Sequence, residues 1–170
     1  MPQTPAPAEP RRQRARFAAA ANILATRSDG TVLLVHHRVS GLWVLPGGKT
    51  RAGESPRSCA LREGAEELGV PVQVGPLLSL HWLTAKSALW PGAADLPHAY
   101  PCHLATFAAS ITDADAGRIT VPDHELLGYA WWDPVDVARP RLMEAANAAH
   151  LLAVTADPGT VTYLEDGTAL

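Results

Sequence analysis

Cysteine is nearly absent. Cys59 and Cys102 are the only two in 170 residues, and they stand far apart without the spacing of a metal-ligand pair. A disulfide framework is excluded, and two small buried thiols in a reducing compartment, the cytoplasm, are expected. Long apolar runs are missing too: nothing approaches the roughly 20 residues of a membrane span, so no membrane partner is expected. Excess charge of one sign is also lacking, with 14 Lys plus Arg against 17 Asp plus Glu for a net of -3. Nothing global then attracts nucleic acid or an anionic surface, and any polyanion binding must be local. No internal repeat is found.

What is present is 47% hydrophobic content, enough for one domain with a sizeable core. Residues 1–16 carry Pro2, Pro5, Pro7 and Pro10 and then Arg11, Arg12, Arg14 and Arg16 without apolar periodicity, which reads as a flexible tail before a single domain at 17–170. Arginines followed by an apolar stretch imitate the order of a secretory signal. That stretch, however, is short and Ala-rich and runs through Ser28-Asp29-Gly30 into a second apolar run, so residues 17–26 and 31–37 read as a hairpin. Residues 42–45 form a third extended piece, stopped by Pro46 and Gly47-Gly48. Further strands are expected at 77–83, 99–111 and 128–132, a helix at 142–156, and an edge strand at 160–164. Strands interleaved with two helices indicate an α+β class, an α/β/α layered domain with a mixed sheet.

Residues 56–68 read as a helix marked at both ends: Ser55 as N-cap, Pro56 in the first turn, Gly69 as the stop and Pro71 beyond it. At roughly 100° per residue, Glu63, Glu66 and Glu67 share one face, and Leu61, Gly64, Ala65 and Leu68 fall on an apolar back. Like charges one turn apart repel. Arg62, four residues before Glu66, can pair with it, but one arginine cannot neutralise three glutamates. A divalent cation can. An all-oxygen site suits Mg²⁺, with Mn²⁺ as the other candidate, rather than zinc. The turn Pro46-Gly47-Gly48 allows close backbone approach to a metal or a phosphate.

From Gly48 the chain reads Gly, five residues, Glu54, seven residues, Arg62-Glu63, two residues, Glu66-Glu67, one residue, Gly69, then Val70. This resembles the Nudix box. At average residue frequencies, the spaced identities have a chance probability on the order of 10⁻⁸ per start position. The one departure is Gly64, which stands where the family has a bulky apolar residue. Its expected effect is closer packing of the helix on the sheet and about 1 kcal/mol of lost helix propensity.

The resemblance implies a Nudix-like α/β/α sandwich with a mixed central sheet and Mg²⁺-dependent hydrolysis of a diphosphate linkage in a small-molecule substrate, a nucleoside triphosphate or a nucleoside diphosphate-linked compound. It implies that Glu63, Glu66, Glu67 and a carbonyl at Gly47 or Gly48 bind metal, that Arg62 orients Glu66, and that Glu54 supports the loop or the metal waters. Glu125, six residues before Trp131, is similar to the later-loop carboxylate that family members use as ligand or base. Substrate contacts are expected from the aromatic groups after the helix, Trp82, Trp90 and Tyr100, with His81 and His98 beside them. Neither the substrate nor a homodimer is decided by these residues. The alternatives are a non-nucleotide diphosphate such as a prenyl diphosphate, a regulatory module that binds nucleotide without cleaving it, and an enzyme whose arginine-rich tail reaches RNA ends.

Overall fold

The computed structural model describes residues 17–84 and 101–170. Trp90, His98, Tyr100 and the arginine-rich segment 1–16 lie outside the described residues. In chain order the elements are β1 (Ala18–Ala25), β2 (Val32–His37), β3 (Trp43–Val44), β4 (Gly47–Lys49), α1 (Pro56–Leu68), β5 (Gln73–Leu83), β6 (Cys102–Ser110), α2 (Asp113–Ala116), β7 (Leu126–Trp132), α3 (Pro134–Val137), α4 (Ala145–Ala156), β8 (Thr162–Glu165) and β9 (Thr168–Ala169).

Strand β1 is the axis of the fold. Its alanines leave room for neighbours on both faces, and every residue from Ala20 to Ala25 is buried. It lies inside a six-stranded sheet of order β4-β1-β6-β5-β8-β9. The β1/β6 and β5/β8 pairs are parallel and the others antiparallel, so the sheet is mixed as expected. Ala21, Ile23 and Ala25 pack with Cys59, Ala60 and Leu68 of α1 on one face. Leu24 packs with Ala148, Leu151 and Val154 of α4 on the other. The alternation of side chains along a strand produces this helix-sheet-helix layering.

The hairpin at residues 17–37 is corrected in part. Its turn exists: Asp29 Oδ1 accepts from the Thr31 N–H at 2.9 Å, Gly30 takes φ +87, and Arg27 N–H donates to Thr31 O at 2.9 Å. Beyond one bridge, Thr26 to Val32, the strands part. Strand β2 joins β3 and β7 in a separate antiparallel sheet of order β3-β2-β7. Val32, Leu33, Leu34 and Val35 are all buried, with Leu33 and Val35 in one core cluster and Val32 and Leu34 in the other. A strand apolar on both faces needs cover on both, which a two-stranded ribbon cannot give.

Other boundaries moved for local reasons. The last helix begins at Ala145 because the Glu144 side chain caps it, accepting from the Ala146 and Asn147 N–H groups. The expected edge strand is β8, whose outer side is covered by β9. Residues 47–49, expected as a turn, form the short strand β4 on β1. His81 and Trp82 lie on β5, within the strand expected at 77–83.

The back of α1 also differs from expectation. Leu61 is 48% exposed, whereas the buried positions are Cys59, Ala60, Gly64, Glu67 and Leu68. The buried stripe is rotated toward Glu67, since α1 must cover Ile23 and Val72. Gly64 is where it comes closest: a Cβ there would lie 2.9 Å from Ile23 Cδ1 and 3.0 Å from Val72 Cγ2. Gly64→Ala should therefore be tolerated within about 1 kcal/mol, because a flexible Ile23 terminus can move and helix propensity is regained. Gly64→Leu should lower stability by about 1–3 kcal/mol through overpacking. Thermal denaturation checks the order, and a Leu variant as stable as wild type would contradict the packing described.

Candidate active site

The site is built where β4 meets the side of α1. Gly47 and Gly48 pair with Asn22 and Ala21 of β1. Gly47 does not tolerate a side chain, since a Cβ there would stand 2.4 Å from Ala21 O, and one at Gly48 would stand 2.5 Å from Glu63 Oε1 and displace that carboxylate. The missing side chains bring the backbone against the helix carboxylates. Gly47 N–H donates to Glu67 Oε2 at 2.9 Å.

Arg62 links the remaining carboxylates. Its Nε and Nη2 donate to the two oxygens of Glu54 at 2.8 and 2.9 Å, and its Nη1 to Glu63 at 2.7 Å and to Glu66 at 3.1 Å. It also donates to Lys49 O at 3.2 Å, tying helix to loop. The expected partner, Glu66, is thus one of three. Hydrogen bonds from Arg62 and from Arg51 N–H hold the Glu54 carboxyl down at about 2, and the three carboxylates raise Arg62 above its ordinary value. Glu54 therefore braces the loop through Arg62. Arg51 reaches Glu66 at 3.2 Å, so Glu66 stays exposed between two arginines.

Glu67 is in a different situation. It is 7% exposed. Burial, together with the negative charges of Glu125, Glu63 and Glu66, pushes its carboxyl up to about 8 against the opposing Gly47 N–H.

Glu63 and Glu67 open into a cleft of about 460 Å³ whose rim carries Gly47, Gly48 and Glu125. Glu125, distant in sequence, is brought there because Arg38 N–H donates to its carbonyl at 3.0 Å. Trp82 does not line this cleft; it packs edge-on against Phe17 at 6.1 Å and tilted against His103 at 4.5 Å.

Among the described residues no three carboxylate, imidazole or thiol groups already converge as a metal-ligand set. Arg62 and the Gly47 N–H hold the carboxylates in other bonds. The donors at hand are all oxygens, and Glu67 is a buried carboxyl among negative charges. That chemistry suits a hard divalent cation.

The family model of the NUDIX domain matches residues 16–154. The chain belongs to the Nudix family. A nudix hydrolase of Caenorhabditis elegans is 32% identical over 125 residues, which cover 71% of this chain and 30% of that protein. The CTP pyrophosphohydrolase of Escherichia coli is 39% identical over 57 residues, 31% of this chain and 42% of its own length. This Nudix chain thus spans well under half the length of these curated relatives. A crystal structure of a NUDIX hydrolase from Nitrosomonas europaea superposes with TM-score 0.67 at 18% identity, covering 90% of this chain and 80% of that one. That likeness fixes the Nudix fold.

Reading the sequence missed Asn22, His37, Ser40, Lys49 and Asn147, which also line the Nudix cleft. Only Asn22 left a trace, as the one polar residue in the β1 run AAAANILA.

A buried carboxyl with a raised pKa makes folding pH-dependent. Between the ordinary value of 4.5 and about 8 the unfolded chain has ionised Glu67 while the folded chain keeps its proton, so this stability is present at low pH and lost as pH rises through 8. Glu67→Gln, which keeps an acceptor for Gly47 N–H, should be more stable than wild type without divalent ions, by a margin larger near pH 9 than near pH 5. Melting temperatures at the two pH values check this; a constant margin would show that Glu67 is not desolvated.

Proposed function

We propose that this chain hydrolyses a P–O–P linkage, with Mg²⁺ or Mn²⁺, in a nucleoside triphosphate or a nucleoside diphosphate-linked substrate. The support is the meeting of Glu63, buried Glu67 and Glu125 in one cleft beside Gly48, behind a box whose charged positions are all present. Relatives named as a CTP pyrophosphohydrolase and an NAD-capped RNA hydrolase favour a nucleotide. Residues 17–170 form the catalytic unit in this reading, with 1–16 as a tail outside it.

Glu63, Glu66 and Glu67, with the Gly48 carbonyl, would hold the cation; the oxygen donors fit it, and the missing side chain of Gly48 lets the Glu63 carboxylate lie against that backbone. Bound there, Mg²⁺ would neutralise phosphate charge and acidify water. Arg62 keeps Glu63 and Glu66 in place, and Glu54 keeps Arg62 in place. Glu125 takes the proton of a water that attacks phosphorus. The new P–O bond forms as the bridging P–O bond breaks, leaving two phosphate-terminated products. Trp90 and Tyr100 contact the substrate in this reading, and Trp82 does so from farther away.

Three outcomes are expected. In a Mg²⁺ assay across nucleoside triphosphates, oxidised nucleotides, nucleotide sugars, dinucleoside polyphosphates and prenyl diphosphates, wild type cleaves at least one nucleotide. Glu66→Gln and Glu67→Gln each lose at least about 100-fold in kcat. Wild type that binds Mg²⁺ yet cleaves none would end the hydrolase reading. The pH profile should climb toward the alkaline side, since Glu67 must shed a proton held up to about 8 before it serves as a ligand. A rate flat from about pH 6 to 9.5 would contradict that role.

A further inference from the structure

Across the sheet, Asn22 of β1 stands in register with Gly47 of β4 on one side and Thr106 of β6 on the other, and Thr106 is followed by Ser79 of β5. One rung therefore carries three polar side chains through an otherwise apolar layer. Facing residues on neighbouring strands lie on the same side of a sheet, the side covered by α4. His150 of α4 serves two of them: its Nε2 meets Ser79 Oγ at 2.8 Å and Thr106 Oγ1 at 3.0 Å. Asn22 is the third. It is 8% exposed, and its Oδ1 is buried without a hydrogen-bond partner.

An unpaired buried carboxamide oxygen is costly. The cost is unusual here because the next rung position, Gly47, is the residue whose N–H holds Glu67. Asn22 also lines the cleft that holds Glu63, Glu67 and Glu125. The cleft wall is in part aliphatic, with Val44, Leu45, Leu104, Met143 and Leu151, and in part polar, with His37, Ser40, Asn147 and His150. The volume of about 460 Å³ falls in the usual range of small-ligand pockets.

We infer that Asn22 is the specificity residue that reads the non-phosphate end of the substrate, and that this end is a nucleobase held between the aliphatic walls. The inference rests on the hydrolase reading above and names the substrate class within it. A carboxamide offers an acceptor and a donor side by side, the match for a base edge that offers a donor beside an acceptor. The terminal torsion of asparagine is soft, so a bound edge can turn Oδ1 into the cleft. A prenyl chain has no N–H and would leave Asn22 unpaired. An isolated phosphate would not reach the aliphatic walls.

The test uses nucleosides, which have no P–O–P bond, with the full chain. Adenosine, guanosine, cytidine and uridine are titrated by calorimetry into wild type, Asn22→Leu and Asn22→Ser without divalent ions. The best binder is then compared with its analogue methylated on the exocyclic amine or the ring N–H. Wild type should bind the methylated form about 10- to 100-fold more weakly. Asn22→Leu should bind the two forms equally, and Asn22→Ser, which keeps an acceptor, should recover part of the difference. If wild type binds no nucleoside, or discriminates no better than Asn22→Leu, the inference is overturned and Asn22 is an unpaired core residue. Circular dichroism identifies a variant that fails to fold, and Asn22→Ser then carries the comparison. The two readings fail separately: nucleoside binding that depends on Asn22 without any hydrolysis ends the hydrolase reading alone, and hydrolysis of nucleotides indifferent to Asn22 ends this one alone.

Discussion

Arg62 is the constraint on which the rest of the site depends. A helix that places Glu63, Glu66 and Glu67 within little more than one turn opposes its own folding through like-charge repulsion. Arg62 meets Glu63 and Glu66 directly and is itself braced by Glu54 from the preceding loop. The planar guanidinium can serve several carboxylates at once in fixed directions, which a lysine cannot. With those two glutamates held, the third is left to its surroundings. Glu67 turns inward, loses water and accepts one N–H from Gly47. The helix thus contains carboxyls of opposite character, two that the arginine reaches and one on the side that the sheet covers.

The glycines complete that division. At Gly48 the space a side chain would fill is taken by the Glu63 carboxylate, and at Gly47 by the backbone of β1. Strands β4 and β1, distant in sequence, are therefore in direct backbone contact at the wall of the cleft. Gly64 does the same on the buried side, where α1 settles on Ile23. Close approach on both sides of one helix fixes its position, so Glu63 and Glu67 project into the cleft from a rigid support.

The same strand supplies both ends of the cleft. Strand β1 lies between β4, with its glycines, and β6, whose Thr106 is tied to His150. The acidic end and the apolar end of the cleft are therefore held at a spacing set by one sheet. Glu125 enters from the turn before β7, anchored to Arg38 at the end of β2. The smaller sheet thereby delivers a carboxylate to a site built on the larger one.

The sequence by itself determined what depends on local spacing. The ends of α1 follow from Ser55, Pro56 and Gly69, and the cap and left-handed stop are found there. The shared box pattern, the layered class and the arginine beside its glutamates could likewise be read from residues near one another in the chain. Tertiary structure decided what depends on partners remote in sequence. Leu61 is exposed and Glu67 buried because Ile23 and Val72 set which side of the helix is covered, and a helical wheel contains neither. The turn at Asp29-Gly30 was legible, but the separation of β1 and β2 into two sheets was not, because it follows from the need of each strand for cover on both faces. Asn22 could be seen as a polar interruption in an apolar strand. That its oxygen is unpaired while Thr106 and Ser79 are satisfied was decided by His150, more than 120 residues away along the chain and in contact only after folding.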